Sequence, residues 1–146
     1  MKTINIKAVI TSEYDEPCYA TEGSAGCDLK ANIPECITIK AHNMALIPTG
    51  LHIQLPEGYE AQIRSRSGMT LKHGIVVANG IGTIDSDYTG EIKVILYNLT
   101  SEDYVIKPGE RIAQMVISEY VRAEFSKVDE IKPTLRGEGG FGHTGK

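Results

Sequence analysis

The sequence predicts an all-β domain. Three observations carry that prediction: short runs in which apolar and polar residues alternate with period two, turn signals between most of those runs, and only one segment with helix start and stop signals. Strands at this spacing without intervening helices point to a β-sandwich, jelly roll or barrel. A chain of 146 residues suits one domain with room for a real core.

The elements follow in order along the chain. Ile4, Ile6, Ala8 and Ile10 alternate with polar neighbours and predict a first strand. Ser24–Leu29, SAGCDL, places small residues before an acid and predicts a tight turn beside a polar site. Ile37–Ile39 and Met44–Ile47 read as strands, preceded by a break at Pro34. Pro48, Thr49 and Gly50 predict a turn, and the alternation of Leu51, Ile53 and Leu55 a new strand after it. Another turn at Pro56, Glu57 and Gly58 leads into Tyr59, Ala61 and Ile63. The helix is expected around Gly68–His73, with Ser67 as N-cap and Gly74 as its stop. Ile75–Ala78, Glu91–Tyr97, Tyr104–Ile106 and Ile112–Ile117 complete the strands, with turns at Thr89 and Gly90 and at Pro108 and Gly109.

Bulk properties exclude several classes. A net charge of −4 argues against a basic protein that coats nucleic acid, although arginines concentrated locally still allow a polyanionic small ligand. No apolar run is long enough for a transmembrane helix, and the opening MKTINIKAVITSEY lacks the apolar core of a signal peptide. Cys18, Cys27 and Cys36 are odd in number, so free thiols in a reducing compartment are expected, and the chain is placed in the cytoplasm. No zinc site is visible in the spacing of the cysteines and histidines.

Four segments hold residues suited to chemistry. Arg66, Ser67 and Gly68 fall at the predicted helix start, where free N–H groups favour an anion and Arg64 adds charge. Asn79–Tyr88, NGIGTIDSDY, sets glycines among β-branched residues, a pattern that lets a flat ligand approach the backbone closely. Asp85 and Asp87 would share a face in a strand, and one carboxylate could take a proton from water; Ser86–Gly90 otherwise reads as a polar hairpin turn. Asp28 suits a hydrated Mg²⁺ or the orientation of a neighbouring group, if it is more than a turn residue. The last eleven residues, RGEGGFGHTGK, hold five glycines, Arg136 and Phe141. Glycine loses the most backbone freedom on ordering, so this tail is expected to be mobile alone and ordered by a phosphate and a flat base. Its glycines also fit G-x-G-x-x-G and the start of a P-loop, but those motifs need a strand before and a helix after them, and the match is expected to be coincidence.

Taken in order, SAGCDL, RSRSGM, NGIGTIDSDY, GERIAQMV and RGEGGFGHTG resemble the five motifs of the trimeric deoxyuridine triphosphatases, from about Pro17 to the end. The resemblance implies a distorted jelly-roll β-barrel with one short helix and a flexible Gly-rich tail, divided into residues 1–135 and a lid at 136–146. It implies Mg²⁺-assisted attack of water at the α-phosphate of dUTP, giving dUMP and pyrophosphate. That reaction limits uracil incorporation into DNA and supplies dUMP for thymidylate synthesis. It further implies a homotrimer with shared active sites and no nucleic-acid or membrane partner.

Carried onto this sequence, Asp85 resembles the base that activates water. Asn79 and its neighbouring backbone resemble the uracil-reading hairpin, whose close fit would reject the 5-methyl of thymine, and Tyr88 the residue that packs on deoxyribose and leaves no room for a 2′-OH. Ser67 and Gly68 would grip phosphate oxygens beside Arg66, and Gln114 would lie near the α-phosphate. Asp28 would hold the hydrated metal region through water. Arg136 would reach the γ-phosphate, Phe141 would stack over uracil, and Gly142, His143 and Thr144 would complete the clamp. Met69, where leucine is usual, Cys27 at a variable position, and His143, where serine is common, are the departures.

Overall fold

The computed structural model describes residues 2–14 and 16–140. Among these residues ten strands and one helix are formed: β1 (Lys7–Ile10), β2 (Gly26–Lys30), β3 (Ile37–Ile39), β4 (Met44–Gln54), β5 (Tyr59–Arg64), α1 (Ser67–His73), β6 (Ile75–Val77), β7 (Ile81–Ile84), β8 (Ile92–Asn98), β9 (Tyr104–Ile106) and β10 (Arg111–Glu119). Two four-stranded sheets, ordered β1-β4-β8-β6 and β2-β10-β5-β7, enclose the core, and a small β3-β9 pair completes the fold. This is the all-β architecture expected, and every strand pairing among the described residues is antiparallel.

Alternation decides which side chains are inside. In β8, Ile92, Val94, Leu96 and Asn98 are buried while Lys93 and Ile95 face outward. Leu29, Ile47, Ile63, Ile75, Ile106 and Ile112 pack into the same core from the other strands. Removing apolar surface from water at about 25 cal/mol per Å² is the main favourable contribution to this arrangement.

Several local expectations change. Pro48, Thr49 and Gly50 form no turn; they are a bulge inside β4, marked by a register shift against β8 between Pro48 and Leu51. The strand survives the lost ladder bonds because side chains replace them. The Thr49 hydroxyl donates to the Ile92 carbonyl at 2.6 Å, and a Glu91 carboxylate oxygen accepts the Gly50 N–H at 2.9 Å. Gly50 has φ of 67°, and a Cβ there would lie 2.7 Å from the Asn32 side chain, so no other residue fits without displacement. The SAGCDL segment is likewise not a turn but the entry to β2. Its Gly26 is small because a Cβ would come 2.9 Å from the Gln114 side chain on β10. Ser67 is the first helical residue, not the N-cap; Arg66 occupies the cap with extended backbone (φ −88°, ψ 124°). Gly74 does stop the helix, with φ of 64° and its N–H donated to Thr70. The first strand is shorter than its alternation suggests, beginning at Lys7.

β10 ends at Glu119, where the Tyr120 N–H still donates to the Gly58 carbonyl at 3.1 Å. From residue 121 to 138 every residue is exposed. No helix among the described residues is long and apolar enough to cross a membrane.

Asn98 joins the small pair to the larger sheet. Its amide nitrogen donates to Ile39 at 3.1 Å and Glu102 at 2.7 Å, while its oxygen accepts from the Thr100 N–H at 2.9 Å and hydroxyl at 2.8 Å. Leaving these groups unpaired costs roughly 1–3 kcal/mol apiece when buried. Asn98→Ala is therefore expected to lower unfolding free energy in urea by about 3 kcal/mol. A change near zero would show that the network adds nothing to stability.

Candidate active site

β7 is the edge of its sheet, paired with β5 alone, and β8 begins in the other sheet. The chain crosses between them through the turn 85–91. A groove of about 330 Å³ opens there, lined by Leu46, Thr83, Ile84, Asp85, Tyr88, Glu91, Ile92 and Lys93. Among the described residues the side of β7 away from β5 has no strand partner, so its main-chain N–H and C=O groups are oriented for a flat polar ligand.

The turn is held by its own residues. Tyr88 donates its N–H to the Asp85 carbonyl at 3.2 Å and its hydroxyl to the Glu91 carbonyl at 2.9 Å. The ring lies directly on Gly90, where an added Cβ would meet the phenol oxygen at 2.5 Å. Asp85 is exposed at the end of β7 and borders both this groove and a broader cleft of about 800 Å³. Asp87 borders only the broader cleft, because the strand ends at Ile84 and a turn separates the two acids. Asn79 precedes β7, and its amide nitrogen lies 3.4 Å from where a Gly82 Cβ would stand, so it packs against buried Gly82, the second residue of the strand.

A second cluster forms at the other end of β5. Asp28, Gln114, Arg64 and Ile81 stand in one cross-strand row through β2, β10, β5 and β7. Arg66 donates from Nε to Asp28 Oδ1 at 2.8 Å and from Nη1 to the Arg111 carbonyl at 2.9 Å. Arg111 Nη1 reaches Asp28 Oδ2 at 3.1 Å. Gln114 donates to the Ser65 carbonyl at 2.9 Å, and the Ser65 hydroxyl accepts the Val77 N–H at 2.8 Å. These bonds fix the loop leading to Ser67 and Gly68, which are themselves exposed at the start of α1. Buried Met69 anchors the helix from beneath.

Asp28, Arg66 and Gln114 thus come together near Ser67 and Gly68, and Asp85 and Tyr88 share the groove. The two groups do not converge within one chain. Arg64 pairs with Ile81 and Ala61 with Ile84, so Asp85 leaves at the far end of the sheet from Ser67. Three strand steps separate those ends, roughly 10 Å. Arg136 donates to the Gly139 carbonyl at 2.8 Å within its own turn. Phe141, Gly142, His143 and Thr144 lie outside the described residues.

Thr83 and Ile84 lie within the Asn79–Tyr88 segment that the sequence singled out, whereas sequence reasoning missed Leu46, Glu91, Ile92 and Lys93 in the groove, and Arg111 on Asp28. The alternation of β8 was a usable signal for Lys93, which it turns outward. Nothing local signals Leu46, which arrives from a distant strand. Among the described residues no group of three His, Cys, Asp or Glu side chains is arranged to hold a metal. Burial pushes the Cys27 thiol above its ordinary range, and it donates to the Met115 carbonyl at 3.5 Å, a packed thiol and not an activated one.

The family profile for dUTPase matches residues 12–145. The deoxyuridine 5′-triphosphate nucleotidohydrolase of Fusobacterium nucleatum subsp. nucleatum is 52% identical over 146 residues, covering 100% of both chains. The protein of the same name from Rickettsia felis is 55% identical over 142 residues, covering 97% of this chain and 96% of the relative. Among solved structures, a variant of the Staphylococcus bacteriophage 80alpha dUTPase with dUpNHpp superposes with a TM-score of 0.88 at 26% identity, covering 99% of this chain and 100% of that one.

The contact between Gly90 and the Tyr88 ring gives a direct test of the groove's wall. Gly90→Ala is expected to push the ring off the turn and to lower stability by about 1–3 kcal/mol through overpacking. A crystal structure of the variant with Tyr88 unmoved, together with unchanged urea unfolding, would contradict that packing.

Proposed function

The chain belongs to the dUTPase family and is a dUTP diphosphatase; we propose that it cleaves dUTP with Asp85 as the general base, in a site shared between copies of the chain. The observation that carries this reading is the groove between β7 and β8, where Asp85 and Tyr88 border a one-sided strand edge. Main-chain groups of β7 would read the uracil edge, beside Asn79. The Tyr88 ring, fixed across its own turn, would pack on the deoxyribose and exclude a 2′-hydroxyl. Asp85 takes a proton from water as the water oxygen bonds to the α-phosphorus. The bond from that phosphorus to the bridging oxygen breaks, and pyrophosphate leaves with the bond's electron pair.

Ser67 and Gly68 would bind phosphate oxygens, with Gln114 close to the α-phosphate. Their loop is pre-positioned by the Arg66–Asp28–Arg111 cluster, and a fixed site of this kind lowers the reorganisation needed at the transition state. Mg²⁺ fits this donor set as an ion carried by the triphosphate and water, since Mg²⁺ prefers substrate phosphates to an all-protein cage. Bound there, it supplies neutralisation of phosphate charge. Asp28, with a guanidinium on each oxygen, would meet it only through water.

Two observations support a homotrimer. Asp85 and Ser67 leave opposite ends of the same strand pair, so a second copy is needed to bring a base and a phosphate grip to one triphosphate. Beyond Tyr120 the chain also presents Val121 and Phe125, each 96% exposed, Ile131 at 88% and Leu135 fully bare. A monomer rarely leaves such a series uncovered. That segment would cross to a neighbour and deliver Arg136 to the γ-phosphate, with residues 136–146 as the lid, Phe141 over the uracil, and Gly142, His143 and Thr144 in the phosphate clamp.

Purified protein given Mg²⁺ and dUTP, dCTP, dTTP or UTP in parallel should release pyrophosphate and a monophosphate from dUTP alone. Ammonia from dCTP would instead indicate a deaminase. Asp85→Asn is expected to keep dUTP binding while turnover falls by about 10²–10⁴-fold. Near-normal turnover in that variant would remove Asp85 from the role of base.

A further inference from the structure

We propose that Tyr104, through its ring contact with His73, is a positioning residue for the phosphate grip at Ser67 and Gly68. This rests on the reading of Ser67 and Gly68 as groups that bind the triphosphate. α1 has seven residues, and a helix that short is not stable on its own. Its N-cap, Arg66, makes no side-chain cap bond, so the local sequence does not secure the end that carries Ser67. Within the helix only Met69 is buried. One buried side chain fixes where a helix lies but leaves its tilt free.

One stretch of chain, residues 99–111, holds both ends. At the C-terminal end the Leu99 N–H donates to the Gly74 carbonyl at 2.9 Å. The Tyr104 ring packs on His73 there, with centroids 5.0 Å apart and planes inclined by 41°. At the N-terminal end the Arg111 carbonyl accepts from Arg66 Nη1 at 2.9 Å. The turn that joins Tyr104 to Arg111 is itself braced. The Tyr104 hydroxyl donates to Glu110 Oε1 at 2.6 Å, and Glu110 Oε2 accepts the Lys107 N–H at 2.9 Å. Burial, helped by the Glu110 carboxylate, pushes the Tyr104 phenol above its ordinary range, so it stays a donor. The Gly109 N–H donates to the Ala31 carbonyl at 2.9 Å and the Ala31 N–H to the Glu110 carbonyl at 2.8 Å, which seats the turn on the chain after β2.

Residues 99–111 are thus a splint along α1. His73 and Ser67 lie six residues apart, about 9 Å along the axis, with Met69 between them as a pivot. Loss of the ring contact at one end lets the other end swing, and a displacement of about 1 Å at a reacting group costs up to about 10²-fold in rate. Neither His73 nor Tyr104 lines the groove that holds Asp85 and Tyr88. The effect is therefore confined to the phosphates and leaves the nucleoside end of the site alone.

The test measures kcat/KM for pyrophosphate release from dUTP, and the inhibition constant of deoxyuridine, in the full-length protein and its variants. Tyr104→Ala and His73→Ala are each expected to lower kcat/KM about tenfold. Deoxyuridine should inhibit both as it does wild type, because it has no phosphate to grip. The double variant should lose no more than either single, since both remove the same contact. Tyr104→Phe keeps the ring, and Glu110 keeps Lys107, so most of the activity should return. Wild-type kcat/KM in both alanine variants overturns the inference. So does an equal loss of deoxyuridine binding, which marks general loosening, or losses that multiply in the double variant. Should Tyr104→Ala fail to fold, His73→Ala, at an exposed helix end, and Tyr104→Phe decide the matter. Ser67→Ala separates the two readings. If it is impaired while His73→Ala is not, only the inference fails; if it turns over dUTP like wild type, the grip reading fails and the inference with it.

Discussion

Among the described residues β7 has a sheet neighbour on one side only, and the geometry of the proposed site depends on that unpaired edge. Two sheets that share a core but do not join at β7 and β8 leave a slot walled by main chain. Backbone polar groups in such a slot need partners, and a pyrimidine supplies donors and acceptors in one plane. The turn that crosses the slot carries Asp85 and Tyr88. On the proposed reading, the same topology would make the base-reading wall and place the acid at its mouth. Closing the slot with another strand would satisfy the backbone and abolish the site.

The β4 bulge extends this logic to the neighbouring sheet. Its backbone is held by Thr49 and by Glu91, a residue of the crossing turn. One irregularity in a central strand thereby stiffens the far wall of the slot. At the opposite end of the β5–β7 pair, Asp28 plays a comparable part. It lies between two guanidiniums, each only partly exposed or more open, and holds the loop before Ser67 in position. Surface ion pairs contribute little to stability singly, so the value of this cluster lies more in fixing geometry than in holding the fold together.

Period-two alternation made the strands legible, because one buried face per strand leaves a direct mark on sequence. The helix and its glycine stop were legible for similar local reasons. Pro48, Thr49 and Gly50 misled because their turn chemistry is also bulge chemistry; the difference lies in Thr49 and Glu91, whose partners are remote in sequence. Gly26 resembled a turn glycine but is small because Gln114 crosses it. Ser67 looked like a cap, yet Arg66 takes that place because its side chain is drawn to Asp28 and the Arg111 carbonyl. In the site, Asp85 and Tyr88 could be found from a contiguous motif. Leu46 and Glu91 could not, since the groove is assembled across two sheets, and the alternation of β8 marked Lys93 only as an outward residue. The roles of Phe141, His143 and Thr144 rest on resemblance alone.

The central claim is that one chain does not hold a whole site, because Asp85 and Ser67 depart from opposite ends of one strand pair. The most direct measurement mixes Asp85→Asn chains with Ser67→Ala chains, each inactive alone, by co-refolding them in equal amounts. If a site takes its base from one protomer of a trimer and its phosphate grip from the next, random assembly restores about a quarter of wild-type activity. If both residues serve the same chain's site, the mixture shows no activity beyond that of its two parents, and the shared-site account is wrong.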